Sequence, residues 1–213
     1  MSNNRIFLFD STLRDGAQTL GVNFSAVDKA NIATDLDTLG IDYIEGGWPG
    51  ANPTDDDFFS NQPTLSNAKL TAFGMTRRSG RSTDNDPGLR ALSDAKTEAV
   101  CIVGKTWDFH TDIALGIDDA ENIEMISDSI TYMCNQSKEV IFDAEHFFDG
   151  FKSNRDFAIK CLVAAADSGA RWITLCDTNG GTLPHEIEEI VIDIIKYVPG
   201  KNLGIHCHDD TGN

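Results

Sequence analysis

The stretch Trp172-Ile-Thr-Leu-Cys176 opens a strand–helix–strand pattern that recurs along the chain and decides the fold. It is a short apolar run rich in β-branched and aromatic side chains, which is typical of a strand. An apolar stripe at helical spacing follows between Ile187 and Val198 and stops at Pro199-Gly200. The next strand-like run is Leu203–His206. Because parallel strands need a crossover connection, this order predicts a parallel sheet.

The same alternation extends back to the N-terminus. A helix is predicted over Ser25–Leu39, opening with the capping-box pattern Ser25-x-x-Asp28, and another over Asn154–Ser168, ending at Gly169. The strand-like runs predict seven strands, at Ile6–Phe9, Tyr43–Glu45, Lys69–Phe73, Ala99–Val103, Val140–Ala144, Trp172–Cys176 and Leu203–His206.

Two architectures fit this order, a doubly wound open sheet and a (β/α)8 TIM barrel. The dinucleotide fingerprint GxGxxG is absent, and Gly104-Lys105-Thr106 lacks the earlier glycine of a P-loop, where Ala99 stands. The barrel is favoured because polar groups follow nearly every strand, and strand ends line the active face of such barrels. These groups are Asp10 to Asp15, Glu45, Arg77 and Arg78, Lys105, Glu145 and His146, Asp177 to Asn179, and His206 and His208.

The length of 213 residues suits one domain, residues 1–213. A complete eight-unit barrel takes ~250 residues. We therefore expect a barrel truncated after the seventh strand, a fragment that lacks the seventh helix, the eighth strand and the eighth helix.

The charge balance excludes several partner classes. With 34 acidic and 17 basic residues the net charge is −17, which argues against binding nucleic acid or an anionic membrane. No apolar run approaches the ~20 residues of a membrane span, so we expect a cytoplasmic protein. The acidic residues, Asp55–Asp57 included, predict a solvated surface. The five cysteines show no pairing pattern and are interpreted as reduced thiols.

The segment His206-Cys207-His208 predicts a metal site. Side chains alternate along a strand, so both histidines point the same way while Cys207 faces the covering helices. Two imidazoles and a carboxylate make a three-point metal site, although paired histidines are also found simply hydrogen-bonded. Asp15 and Asp10 are the candidates for the carboxylate, because barrel closure brings the first and seventh strand ends together.

These segments resemble a known family. Asp10-Ser-Thr-Leu-Arg-Asp-Gly-Ala-Gln18 is similar to the first-strand signature of the DRE-TIM metallolyase superfamily, and His206-Cys-His-Asp-Asp-Thr-Gly-Asn213 to its metal-binding segment. The motifs that resemble its citramalate synthase branch, close to the isopropylmalate and homocitrate synthases, are Tyr43 to Pro53, Gly104 to His110, Asp143 to Gly150 and Cys176 to Pro184.

The resemblance implies a metal-dependent acyltransferase that condenses acetyl-CoA with a 2-keto acid, pyruvate giving citramalate, and then hydrolyses the thioester. Asp15, His206 and His208 would bind a divalent metal, and magnesium, manganese, cobalt and zinc all suit these ligands. The metal would chelate pyruvate and make its ketone electrophilic. The resemblance also implies a cytoplasmic homodimer of the full-length protein, acting in isoleucine, hence branched-chain amino acid, biosynthesis.

Four further roles follow from the resemblance. Arg14 would bind beside the ketone oxygen and stabilise its developing charge, and Glu45 would hold Arg14 in place. Thr178 would donate to the substrate carboxylate. Glu145 would take part in removing a proton from the acetyl methyl group, since partial desolvation can raise the pKa of a carboxylate. Lys105 either steers anionic substrate or CoA phosphates or is merely solvated. His110 and His146 are ambiguous, and His146 is the better candidate for a residue that supports the site, because it adjoins Glu145.

Alternatives remain at this point. Another 2-keto acid would make the protein an isopropylmalate or homocitrate synthase. A lyase resembling hydroxymethylglutaryl-CoA lyase would share the metal ligands and Arg14, and a non-enzymatic fragment would need neither. An amidohydrolase barrel is disfavoured because its paired histidines lie on the first strand. Ala17 departs from the glutamate that many relatives carry, so that contact is not assumed.

Overall fold

A computed structural model of the protein describes residues 5–212. The strands are β1 (Phe9–Asp10), β2 (Tyr43–Gly47), β3 (Lys69–Met75), β4 (Ala99–Lys105), β5 (Glu139–Glu145), β6 (Trp172–Asp177) and β7 (Asn202–Cys207). The α-helices are α1 (Ala26–Leu39), α2 (Pro53–Ser60), α3 (Pro87–Asp94), α4 (Asp108–His110), α5 (Asp119–Asn135), α6 (Phe147–Ser153), α7 (Arg155–Asp167) and α8 (Pro184–Ile194). A π-helical turn, Thr111–Leu115, follows α4 directly.

The order of the strands in the sheet is their order in the chain, β1 to β7. The ladders β1–β2, β2–β3, β5–β6 and β6–β7 are parallel. A doubly wound sheet would reverse its strand order at a switch point, and this sheet has none. The predicted (β/α) barrel class with seven strands is therefore confirmed, and the doubly wound alternative is wrong.

Two compact units can be distinguished, and each is described by itself. The first consists of the residues up to Gly74 with Arg90–Cys101, and the second of Met75–Leu89 with the residues from Ile102 onward. In the first unit the predicted capping box at Ser25 is confirmed, since its side chain accepts from Asp28 N–H and its own N–H donates to the Asp28 carboxylate.

The buried face of α1 corrects the expectation that the charges are solvated. It consists of Lys29, Ala33 and Asp37, and two of the three are charged. Lys29 Nζ donates to the buried carboxylate of Asp55 and, at 2.9 Å, to the carbonyl of Gly46. The expectation failed because charges far apart in sequence are paired by the fold, and burial is tolerated when each charge has partners.

Asp37 is buried for a different reason. Its two carboxylate oxygens accept from the main-chain N–H groups of Ser66, Asn67 and Ala68, which lie in the loop before β3. Burial opposes its ionisation, but these hydrogen bonds, above all those from Ala68 and Ser66, lower the pKa of Asp37 below its ordinary value. This carboxylate thus stabilises the start of β3.

The first strand is shorter and later than predicted. The ladder to β2 begins only at Phe9, opposite Tyr43, while Ile6 and Leu8 are exposed. The reason is Asp42, whose Oδ2 accepts from the Leu8 main-chain N–H at 2.9 Å. A side chain rather than a strand carbonyl takes that hydrogen bond, so the prediction of a strand from Ile6 is wrong.

In the second unit, the ladder from β5 to β7 is covered by helices with large apolar side chains. Phe142 on β5 is fully buried, as are Ile126 on α5 and Phe147 on α6. Gly104 on β4 faces this core, where an added Cβ would lie 2.7 Å from the Phe142 ring. The predicted helix over Asn154–Ser168 is confirmed as α7, with Asn154 as its N-cap.

The cysteines and helices add two observations. No disulfide forms among the five cysteines, as expected from their spacing; they are Cys101, Cys134, Cys161, Cys176 and Cys207. Burial raises the pKa of the Cys161 thiol, and the negative charge of Asp119 raises it further. Among residues 5–212, no helix combines the length and apolar character that crossing a membrane requires.

Candidate functional site

The loop after β1 is a tightly hydrogen-bonded turn. The carbonyl oxygen of Ser11 accepts from the main-chain N–H groups of Arg14, Asp15 and Gly16, at 3.1, 2.8 and 3.1 Å. Leu13 is fully buried beside them and anchors the turn. The backbone under Arg14 and Asp15 is therefore fixed, which limits the positions that their charged side chains reach.

Arg14 forms an ion pair with Glu45 inside the first unit. Its Nε donates to Glu45 Oε2 at 2.7 Å, and its Nη1 donates to Asp15 Oδ1 at 3.1 Å. The Glu45 side chain on β2 is fully buried, and that of Arg14 is 12% exposed. The guanidinium carbon also lies 4.0 Å from the centre of the Phe73 ring. The contact that the resemblance implies between Arg14 and Glu45 is thus present in the structure.

The charge on Arg14 is secure. Burial disfavours the charged guanidinium, but the attraction of Glu45 and its hydrogen bond outweigh burial and raise the pKa of Arg14 above its ordinary value. A permanent cation with a planar set of donors suits an oxygen that gains negative charge during a reaction. Because the partners are already in place, such a group needs little reorganisation when the charge develops.

Asp10, the second candidate for a metal carboxylate, is occupied locally. Its Oδ1 accepts from the Thr12 main-chain N–H at 2.9 Å, and its Oδ2 accepts from the Thr12 hydroxyl at 3.2 Å. Both oxygens therefore shape the turn after β1. This favours Asp15 over Asp10 as the carboxylate ligand.

The ends of β4 and β5 are joined in the second unit. Lys105 Nζ donates to Glu145 Oε2, and the two side chains are 16% and 24% exposed. The carbonyl oxygen of Glu145 accepts from Thr106, from the hydroxyl at 2.7 Å and from the main-chain N–H at 3.3 Å. Both the side chain and the backbone of Glu145 are therefore held by β4.

Thr178 is connected to β5 through His146. The main-chain N–H of His146 donates to Thr178 Oγ1 at 2.9 Å, which leaves the threonine hydroxyl proton for another acceptor. His146 has a φ of 53°, in the left-handed region that costs a residue with a side chain about 1–3 kcal/mol. The strained residue thus turns the chain after Glu145 and brings its N–H to Thr178.

Three rings with nitrogen atoms form a cluster beside this point. The ring centres of His110 and His146 lie 4.3 Å apart, and that of Trp107 lies 4.9 Å from His110. Trp107 Nε1, His110 Nδ1 and His146 Nδ1 are buried without a hydrogen-bond partner among the described residues. Burial lowers the pKa of His110, and the electrostatic influence of His146 and Lys105 lowers it further.

The two histidines of β7 lie on one side of the strand. The rings of His206 and His208 are stacked, with centres 5.0 Å apart and an interplanar angle of 21°. The expected common direction of the two side chains is therefore observed. Cys207 is exposed, and no helix among residues 5–212 follows β7 to cover it. Burial, with help from Asp177 and Asp209, raises the pKa of Cys207 above its ordinary value.

His206 also lies near donor atoms of its neighbours in the sheet. Asp143 on β5, Cys176 on β6 and His206 each place one ligand-type atom within 4.8 Å of the others. Imidazole, carboxylate and thiolate all bind divalent metals, with the thiolate favouring softer ions such as zinc. The donor chemistry around β7 therefore fits a metal ion.

Within each unit, the structure brings together part of the predicted site. The first unit joins Arg14, Asp15 and Glu45. The second places Thr178 one residue after the end of β6, His206 on β7 and His208 one residue after the end of β7. The ion pair of Lys105 and Glu145 was missed. The sequence held a signal for this pair, because Lys105 and Glu145 each end a strand and the two strands were predicted to be parallel neighbours.

Comparison with known proteins gives consistent relatives. The sequence model of the HMGL-like family matches residues 5–213. An (R)-citramalate synthase of Aquifex aeolicus is 50% identical over 97% of this chain and 40% of its own length. An (R)-citramalate synthase of Geobacter sulfurreducens is 50% identical over 96% of this chain and 39% of its own length. A 2-isopropylmalate synthase of Rhodopseudomonas palustris is 32% identical over 99% and 40%.

The chain thus spans about 40% of the length of the curated relatives it matches. Among solved structures, an HMG-CoA lyase of Bacillus subtilis superposes with a TM-score of 0.80 at 16% identity, covering 98% of this chain and 70% of the lyase. An HMG-CoA lyase of Acinetobacter baumannii, in complex with coenzyme A and 3-methylmalate, superposes with a TM-score of 0.77 at 17% identity. The superposition covers 97% of this chain and 67% of the lyase. At such low identity the agreement shows a shared fold.

Proposed function

Because this chain belongs to the HMGL-like family, we propose that it is the catalytic barrel region of an acyltransferase that condenses acetyl-CoA with a 2-keto acid. The observation that carries the proposal is the buried pair of Arg14 and Glu45, with Asp15 bound to the same guanidinium. Such a preorganised cation matches a reaction in which a ketone oxygen gains negative charge.

The names of the most similar of these relatives support pyruvate as the 2-keto acid. The curated citramalate synthases are 42–50% identical to this chain, whereas the isopropylmalate synthases are 32% identical. The name citramalate synthase implies pyruvate as the acceptor of the acetyl group. We therefore propose that the product is citramalate, released after water hydrolyses the thioester.

The metal would be held by Asp15, His206 and His208. One carboxylate and two imidazoles are a donor set that suits a divalent ion, and the neighbouring rings of His206 and His208 support it. When bound, the ion supplies Lewis-acid polarisation of the keto acid. Arg14, already bound to Asp15, would then be the neighbour of a metal ligand and would supply positive charge for the developing oxyanion.

The remaining groups bind the acid and move the proton. The Thr178 hydroxyl accepts from His146 N–H and donates its own proton to the substrate carboxylate. Glu145 accepts a proton from the acetyl methyl group as the C–H electron pair forms the bond to the keto carbon. The ketone oxygen becomes an alkoxide, which Arg14 stabilises until it is protonated.

The test is thiol release from acetyl-CoA by the protein at its full natural length, supplied with a divalent metal. Pyruvate, 2-ketobutyrate, 2-ketoisovalerate and 2-ketoglutarate are compared as acceptors. We expect the highest kcat/KM with pyruvate and one citramalate formed per thiol. Activity confined to 2-ketoglutarate would favour homocitrate synthesis instead. Cleavage of hydroxymethylglutaryl-CoA without any thiol release from acetyl-CoA would establish the lyase, and no activity would reject the enzyme.

A further inference from the structure

Lys105 makes a contact that the proposed reaction does not yet use. Its ammonium donates to Oε2 of Glu145, the carboxylate proposed to take the methyl proton. Glu145 Oε1 accepts no hydrogen bond from any residue in the range 5–212, while the side chain is 24% exposed. One carboxylate oxygen is therefore held and the other is accessible.

The backbone of both residues is fixed independently of the ion pair. Asn122, a buried residue of α5, donates to the Lys105 carbonyl at 2.9 Å. Thr106 binds the Glu145 carbonyl through its hydroxyl and its N–H. With both main chains anchored, the ammonium has a short and defined reach to the carboxylate, which lowers the entropy lost when the pair forms.

The pair also differs from an ordinary surface ion pair of the same unit. Lys152 and Glu186 form a contact of 3.0 Å in which the side chains are 40% and 34% exposed. Lys105 and Glu145 are less exposed and lie beside the strained residue His146. Exposed pairs contribute little because water screens them, whereas a partly buried pair orients its members more strongly.

We propose that Lys105 is a positioning residue for Glu145, binding Oε2 so that Oε1 is the oxygen that accepts the methyl proton. This inference rests on the proposed function. In the step, the C–H bond breaks, its electron pair forms the new C–C bond, and the proton moves to Oε1 and later to solvent. The ammonium of Lys105 keeps its protons throughout and exchanges no electrons.

The experiment compares four variants with wild type at full natural length: Lys105→Met, Lys105→Arg, Glu145→Gln and the double variant Lys105→Met with Glu145→Gln. For Lys105→Met we expect kcat to fall ~10- to 100-fold, since a misplaced catalytic group costs about that much. The KM values for pyruvate and acetyl-CoA should stay within about threefold, because a residue that acts only through Glu145 does not change substrate binding.

Two further readouts separate positioning from folding. Lys105→Arg keeps the charge and should recover kcat to within about fivefold of wild type. The double variant should be no slower than Glu145→Gln alone, because residues that act as a unit are not additive. Thermal unfolding of each variant checks that it is folded, and Lys152→Met, which removes the exposed pair, serves as the matched control with unchanged kcat.

Several outcomes overturn the inference. A Lys105→Met variant with wild-type kcat would overturn it. A variant whose only defect is a raised KM for acetyl-CoA would overturn it too, because Lys105 would then be a ligand of the CoA phosphates. Additive losses in the double variant also contradict it. Wild type is assayed first: an active wild type with any of these results rejects only the role of Lys105, while an inactive wild type rejects the proposed function and this role together.

Discussion

Two cation–carboxylate pairs at strand ends differ in burial and geometry. Arg14 binds Glu45, whose side chain is fully buried, while Lys105 binds Glu145, whose side chain is 24% exposed. Arg14 is also bound by Asp15 and lies against the Phe73 ring. For Lys105, the one ion-pair partner among the described residues is Glu145. The first pair is therefore more deeply buried and is held by more contacts than the second.

The difference indicates different tasks. A planar guanidinium fixed by two carboxylates keeps its direction, so it can stabilise charge on an oxygen without moving. A lysine ammonium is a flexible point charge, and a carboxylate that is partly exposed can accept a proton and return it to solvent. We therefore assign a static electrostatic role to the pair in the first unit and a proton-handling role to the pair in the second.

The largest change in the free energy of unfolding is expected at the buried pair of Arg14 and Glu45. Glu45→Gln leaves a mostly buried guanidinium without its main counter-charge, which should lower the free energy of unfolding by about 3–5 kcal/mol. Glu145→Gln should lower it less, by about 1 kcal/mol, because both members of this pair are partly exposed and Lys105 can regain water when its counter-charge is lost. Denaturant unfolding of the two variants measures both. Equal losses would show that the difference in exposure does not separate the pairs.

A smaller effect is expected where α6 touches the end of β4. A Cβ on Gly150 would collide with the carbonyl oxygen of Thr106, the residue that holds the backbone of Glu145. Gly150→Ala should therefore destabilise the protein by about 1–3 kcal/mol, as overpacking does, and lower kcat as well. Gly181→Ala is the matched control, since no atom lies within 4 Å of its added Cβ. A Gly150→Ala variant as stable and active as Gly181→Ala would contradict the contact.

The smallest expected effect concerns pH. Burial, then the charges of His146 and Lys105, lower the pKa of His110 in the folded state. As the pH falls through 6.5, the ordinary pKa of histidine, the unfolded chain binds the proton first, so the free energy of unfolding falls with the pH. His110→Gln should show a smaller drop in Tm between pH 7.5 and 5.5 than wild type, and Lys105→Met an intermediate one. His185→Gln, at an exposed helix start, should follow wild type; an unaltered slope in His110→Gln would refute the assignment.

Much of the fold was predictable because local pattern and tertiary structure agree. The predicted starts of β2, β3, β4 and β6 match the structure, as does the capping box at Ser25. The start of β1 was not predictable, because the Asp42 side chain takes the hydrogen bond of Leu8. The pattern of apolar residues does not reveal whether a side chain or a strand carbonyl accepts the hydrogen bond of a given main-chain N–H.

The candidate site was predictable only as a set of residues at strand ends. Strand order explains why Arg14, Glu45 and Glu145 were found, since each follows or ends an apolar run. The pairing of Lys105 with Glu145, and that of Lys29 with Asp55, depends on partners 40 and 26 residues away. Two neighbouring parallel strands end at Lys105 and Glu145, so that pair could be inferred from strand order, whereas nothing in the spacing indicates that Lys29 on α1 meets Asp55 on α2.

The most direct test of the two roles is to keep each charge and change only its geometry. Arg14→Lys and Lys105→Arg are assayed side by side for thiol release from acetyl-CoA with pyruvate, in the full-length protein with its metal. Arg14→Lys should lose ~100-fold or more in kcat, because it loses the fixed donors toward the oxyanion, while Lys105→Arg should stay within about fivefold of wild type. Equal losses in both variants, or the larger loss in Lys105→Arg, would contradict the account.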